Sequence, residues 1–149
     1  DEYIATEFAR LKRGHNPYVV MLADIDHFKS VNDTWGHALG DKALMHVARL
    51  LRQNLRSSDL VARYGGEEFL IIIHTDDLEA AHQLADGVRR LVELTPLNDD
   101  VSMTLSMGIS AACGKDGSHS DAIARADAKL YEAKSAGRNR VCSAFPAND

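Results

Sequence analysis

The chain has 149 residues, 45% of them hydrophobic, which suffices for one domain (1–149) with a proper core and no covalent staples. Its 22 Asp and Glu outnumber 17 Lys and Arg, and the formal charge of -5 excludes a broad electrostatic footprint for a nucleic-acid polymer or an anionic membrane, leaving room only for local basic pockets. Cys113 and Cys142 stand far apart without C-x-x-C or Cys/His ligand spacing, so neither a disulfide framework nor a zinc centre is expected, and a reducing cytoplasm is the default location.

No signal-peptide pattern and no apolar run long enough to span a bilayer is present. The chain starts at Asp1 rather than Met and enters an amphipathic pattern, Tyr3/Ile4, Phe8 and Leu11, closed by Gly14. This reads as a first helix in a piece of a longer polypeptide. Residues 18–25 (Y-V-V-M-L-A-D-I) form an unbroken apolar run that turns acidic at Asp24 and Asp26, the pattern of a buried central strand with carboxylates at its end. After F-K-S-V-N-D-T-W and Gly36, Asp41 opens a helix carrying Ala43/Leu44, Val47, Leu50/Leu51 and Leu55. Apolar runs at 60–62 and 70–73 flank R-Y-G-G-E-E-F, a hairpin in which Gly65-Gly66 supplies the positive φ of a two-residue turn.

Apolar residues at helical spacing from Leu78 to Leu94 stop before Pro96, and 103–110 alternates Met103, Leu105, Met107, Ile109 as a half-buried strand. Ser118 or Ser120 caps a last helix whose face is Ile123, Ala126/Asp127, Leu130/Tyr131 and Lys134, with Gly137 at the C′ position, and 140–145 is a final strand. The order α-β-α-β-β-α-β-α-β predicts an α/β (α+β) domain, a central mixed sheet flanked by helices.

The candidate chemistry lies where acids collect. Asp24 and Asp26 end the first strand, and Glu67 and Glu68 sit on the hairpin; if those strands are neighbours, the two groups face each other. Magnesium takes oxygen ligands, typically one or two carboxylates plus substrate phosphates, which such a cluster would offer; alternatively, strand-end acids simply face water. Backbone N–H groups at the following turn, with Lys29, form an anion site. Asn32 and Asp41 pair an amide with a pure acceptor, suited to the donor edge of guanine, although Asp41 is equally a helix cap. His37 and Trp35 read as packing residues, and Lys134 and Arg138, four apart, suit either phosphate or the helix dipole.

Together, D-I-D-H-F-K-S-V-N-D-T-W-G-H-A-L-G-D, R-Y-G-G-E-E-F and D-A-K-L-Y-E-A-K-S-A-G-R-N-R closely resemble the GGDEF family of diguanylate cyclases in order and spacing, over nearly the whole chain, with G-G-E-E-F an accepted active variant. The resemblance implies a palm-like sheet related to class III nucleotidyl cyclases and polymerases, and condensation of two GTP into cyclic di-GMP with release of two pyrophosphates. It implies Mg2+ or Mn2+, two per active site, held by Asp24, the Ile25 carbonyl and Glu67, with Glu68 needed for activity. Asn32 and Asp41 map onto the guanine readers and His37 onto a substrate contact. The backbone at His27 and Phe28, Lys29, Lys134 and Arg138 map onto phosphate contacts. One domain holds one GTP, so a homodimer is part of the mechanism, and an upstream sensory or regulatory domain is expected in the full-length protein.

Nine residues before Gly65, Arg56 opens R-S-S-D with Asp59, matching the family's R-x-x-D inhibitory site for cyclic di-GMP, with Arg89 or Arg90 completing it from the next helix. The family's L-T-x-L-x-N-R stretch before the first helix is absent, so the domain is expected to lack its N-terminal edge. Two rivals remain at this stage: a catalytically silent module that senses GTP or cyclic di-GMP, and an enzyme making a mixed guanine/adenine product, against which Asp41 speaks.

Overall fold

The apolar run after Pro17 becomes β1 (Val19–Ile25), buried along its whole length in the computed structural model, which describes residues 2–14, 17–112 and 119–144. Burial on both faces follows from its place in the sheet. With β2 (Leu60–Arg63), β3 (Glu68–Ile73), β4 (Leu105–Ala111) and β5 (Arg140–Ala144) it makes a five-stranded sheet in the order β2-β3-β1-β4-β5. All neighbours are antiparallel except β4 and β5.

The two-residue strand period sorts the core. Val19, Met21, Ala23 and Ile25 join Ile71, Leu105, Met107 and Ile109 on one face, covered by α2 (Phe28–Trp35), α3 (His37–Gln53) and α4 (Leu78–Leu94). Val20, Leu22, Leu70 and Ile72 line the other face, against Phe8 of α1 (Glu2–Gly14) and Ala122, Ala126 and Leu130 of α5 (His119–Ser135). The same parity puts Asp24 on the α5 side, opposite Glu68 on β3 and Ser106 on β4. Among the described residues no helix is long and apolar enough to cross a membrane.

Several local expectations are corrected. The stretch after Asp26 is a helix, α2, whose eight residues bury only Phe28 and Val31, too short a stripe to register as a period. Gly36, at φ 90, separates it from α3, which begins at His37; Asp41 therefore lies inside α3, past any capping position. β4 is buried on both faces through Ser110, not half-buried, because α5 packs on Ser106, Gly108 and Ser110. The buried stripe of α5 is Ala122, Ala126, Leu130 and Ala133, while Asp127 and Tyr131 are exposed. These small residues seat the helix close: a Cβ on Gly108 would lie 2.1 Å from the Ala126 carbonyl oxygen.

The hairpin loop is not a glycine-strained two-residue turn. Neither Gly65 nor Gly66 has positive φ, and the Tyr64 and Gly65 N–H groups both donate to the Glu68 carbonyl, at 2.8 and 3.3 Å. Gly137 does close α5 as expected, at φ 121, with its N–H bonding the Lys134 carbonyl at 3.4 Å and that of Arg138 bonding Ala133 at 3.0 Å. Ser120 stands inside α5, as its second residue; Ser118, Phe145 and the side chains of Tyr3, Ile4 and Leu11 lie outside the described residues.

Candidate active site

The end of β1 and the hairpin meet because Asp24 and Glu68 are register partners, and the Ile25 N–H donates to the Glu67 carbonyl at 3.4 Å. Asp24 is 6% exposed. Burial pushes its carboxyl above the ordinary range, and the neighbouring Asp26 adds to this. The Lys134 ammonium, 2.5 Å from its Oδ2, and the charge of Arg138 pull the other way. Glu67 and Glu68 are likewise raised, first by burial and then by the charge of Asp24. Three carboxylates thus crowd one end of the sheet with Lys134 as the cation bonded to Asp24, an arrangement short of positive charge.

Such a donor set fits a hard divalent cation. Among the described residues no three His, Cys, Asp or Glu side chains converge as a ready cage, but magnesium needs only one or two carboxylates when phosphate and water complete its shell.

The nucleotide-facing candidates come from α2 and α3. His27 is exposed and left-handed (φ 56) at the start of α2, and Lys29 is exposed beside it. Phe28 is 7% exposed and belongs to the core, so only its backbone is offered to a ligand. Asn32 is half-buried and lies directly over Gly40, where a Cβ would sit 1.8 Å from the Asn32 Oδ1. Asp41, the next residue, is exposed, as are His37 and Trp35, so the packing reading of those two is overturned.

On the far side of the hairpin, Asp59 Oδ2 accepts the Arg56 N–H at 3.0 Å and its Oδ1 accepts that of His74 at 3.3 Å. Arg56 and Asp59 line a cavity of about 260 Å3 together with His74 and Leu84. The structure does not bring Arg89 or Arg90 to it. Arg89 donates to Asp86 and to Asn139, both at 2.8 Å, and Arg90 pairs with Asp86 at 3.6 Å.

A profile described as "Diguanylate cyclase, GGDEF domain" matches residues 1–140. The chain belongs to the GGDEF family of diguanylate cyclase domains.

Among its relatives is the diguanylate cyclase DgcP of Pseudomonas aeruginosa, 40% identical over 143 residues, which cover 94% of this chain and 21% of DgcP. Other curated relatives are also much longer: the chain spans 34% of diguanylate cyclase A of Treponema denticola. The GGDEF domain of DgcB from Caulobacter crescentus, solved in complex with c-di-GMP, superposes with a TM-score of 0.87 at 31% identity, covering 95% of this chain and 88% of that one. The fold is therefore the palm-like cyclase sheet expected.

In this GGDEF domain the two aspartates of D-I-D do different things. Asp24 faces Glu68 and Lys134. Asp26, 6% exposed, accepts hydrogen bonds from the Thr104 and Ser106 hydroxyls, each at 2.6 Å, and from the Asn139 N–H at 3.0 Å. Sequence reasoning singled out none of these three partners. Their signal was hydroxyls at alternate positions of an apolar strand, and an Asn just after a helix-closing glycine.

Proposed function

We propose that this domain is a diguanylate cyclase, condensing two GTP into cyclic di-GMP with loss of two pyrophosphates, one GTP being held on each of two facing copies. The observation that carries the reading is the register of Asp24 opposite Glu68, with Glu67 beside them and Lys134 and Arg138 charges close by. The family and the relatives' names support it, and the diguanylate cyclase of Vibrio cholerae whose structure is described as an active GGEEF domain, 34% identical, carries the motif variant found here.

Asp24, Glu67 and the Ile25 carbonyl would hold magnesium or manganese, two ions per site, which when bound supply a more acidic 3′-hydroxyl and neutralise phosphate charge. Glu68, raised by burial, is placed to share that binding or to take the hydroxyl proton. Lys134 neutralises Asp24 in the free domain, and with Arg138, Lys29 and the backbone at His27 and Phe28 it would bind the phosphates. Asp41 and Asn32 read guanine, and His37 touches the substrate. Gly65 and Gly66 are neither strained nor crowded, so nothing inside the domain requires glycine there. Their use is close approach of the nucleotide to the backbone. Arg56 and Asp59 bind product as an inhibitory site in the cavity they share with His74, without Arg89, which is held by Asp86 and Asn139. In the longer protein the domain works in the cytoplasm under an upstream regulatory domain.

The test is chromatography of products from GTP with magnesium, and from GTP plus ATP. Cyclic di-GMP alone is expected in both. Bound but unconverted GTP would establish the silent sensor instead, and a mixed guanine/adenine product would overturn the assignment of Asp41.

A further inference from the structure

Three consecutive residues after α5 take positive φ: Gly137 at 121, Arg138 at 65 and Asn139 at 46. Glycine adopts this region freely and asparagine tolerates it, but arginine has no local reason to do so. Surrounding bonds impose the conformation. Before Arg138 the helix closure fixes its N–H on the Ala133 carbonyl at 3.0 Å. After it, Asn139 is held through both backbone and side chain. Its N–H bonds Asp26, its Oδ1 accepts from Arg89 at 2.8 Å, and its Nδ2 donates to Glu93. Asp26 is itself fixed by Thr104 and Ser106, so the anchor is rigid. The outcome is that Arg138 remains exposed while its charge is felt at Asp24.

We infer that Asn139, clamped by Asp26 and Arg89, is a positioning residue that holds Arg138 in its left-handed backbone and so aims its guanidinium at the triphosphate of bound GTP. The inference rests on the proposed function in taking GTP as the ligand. It gives Arg89 a task at the catalytic end of α4, separate from the cavity at Arg56. Backbone strain of this kind persists only where neighbours over-determine it, which is what the five hydrogen bonds on Asp26 and Asn139 do.

The test measures binding of a GTP analogue with a methylene bridge between the α and β phosphorus atoms, with magnesium, by calorimetry. Asn139→Ala disfavours the left-handed backbone and removes both side-chain bonds; it is expected to weaken binding about tenfold, the equivalent of roughly 1.4 kcal/mol. Asn139→Gly keeps the conformation and the bond to Asp26 but loses the clamp of Arg89, and is expected to bind between the unaltered domain and Asn139→Ala. In an Arg138→Ala background, Asn139→Ala should cost nothing more, an outcome that a merely structural role would not give. Unchanged binding in Asn139→Ala, or a loss that persists undiminished without Arg138, would overturn the inference. Turnover of GTP by the unaltered domain is followed in parallel. Analogue binding that obeys these rules without cyclic di-GMP would sink the cyclase reading and leave the inference standing, whereas no binding by the unaltered domain would remove both.

Discussion

Asp24, Glu67 and Glu68 each hold a proton more tightly in the folded chain than in the unfolded one. A carboxylate raised in this way penalises the folded state once it is ionised. Stability therefore falls as pH rises from the ordinary value, 4.5 for Glu68, through the higher folded value, above which the penalty is fully present. Glu68→Gln removes one of these charges, so without metal it should melt a few degrees above the parent near neutral pH while losing about a hundredfold or more in turnover. Thermal melts beside a product assay check both arms; a variant that melts lower would mean Glu68 holds the hairpin rather than straining it. The acids themselves were legible in the sequence, because strand-end and hairpin carboxylates stand out against apolar runs. Their pairing with Lys134 was not, since 110 residues separate that lysine from Asp24 and only the packing of α5 joins them.

Two glycines show how elements set the site. At Gly108 a Cβ would meet backbone atoms of α5, 2.1 Å from the Ala126 carbonyl and 2.3 Å from the Leu130 nitrogen, and neither can step aside. Gly108→Ala should cost roughly 3 kcal/mol in chemical denaturation and lift Lys134 away from Asp24. Gly40 differs, because the atom in the way is the movable end of Asn32. Gly40→Ala should leave stability unchanged or slightly raised by helix propensity, yet raise the KM for GTP about tenfold and narrow discrimination against ATP. Equal KM in the two proteins would detach Asn32 from base recognition.

The apolar periods announced β1, the hairpin strands and α4 well, and Gly137 announced the closure of α5. They failed at α2, whose buried stripe is two residues, and at the burial of β4, which depends on small residues of a helix far along the chain. The Asp26 clamp was invisible for the same reason: Thr104, Ser106 and Asn139 are ordinary polar residues until the sheet gathers them.

At the scale of the whole molecule, Asp24 and the hairpin acids lie at one end of the β1–β3 pair, while Arg56 and Asp59 lie before β2 beside the cavity under α4. The two regions are separate enough for product to bind one without occupying the other. Arg56→Ala should therefore keep initial turnover and weaken inhibition by cyclic di-GMP about tenfold, read from rates with added product; inhibition equal to the parent's would remove Arg56 from that role.

A reaction that joins two GTP molecules held on two copies has a rate set by how often the copies meet. The most direct measurement is the specific rate of cyclic di-GMP formation from GTP and magnesium over a wide range of protein concentration, beside Glu68→Gln. The specific rate is expected to climb with concentration and to vanish in the variant. No product at the highest concentration with GTP still bound, or product in the variant at the parent's rate, would contradict it.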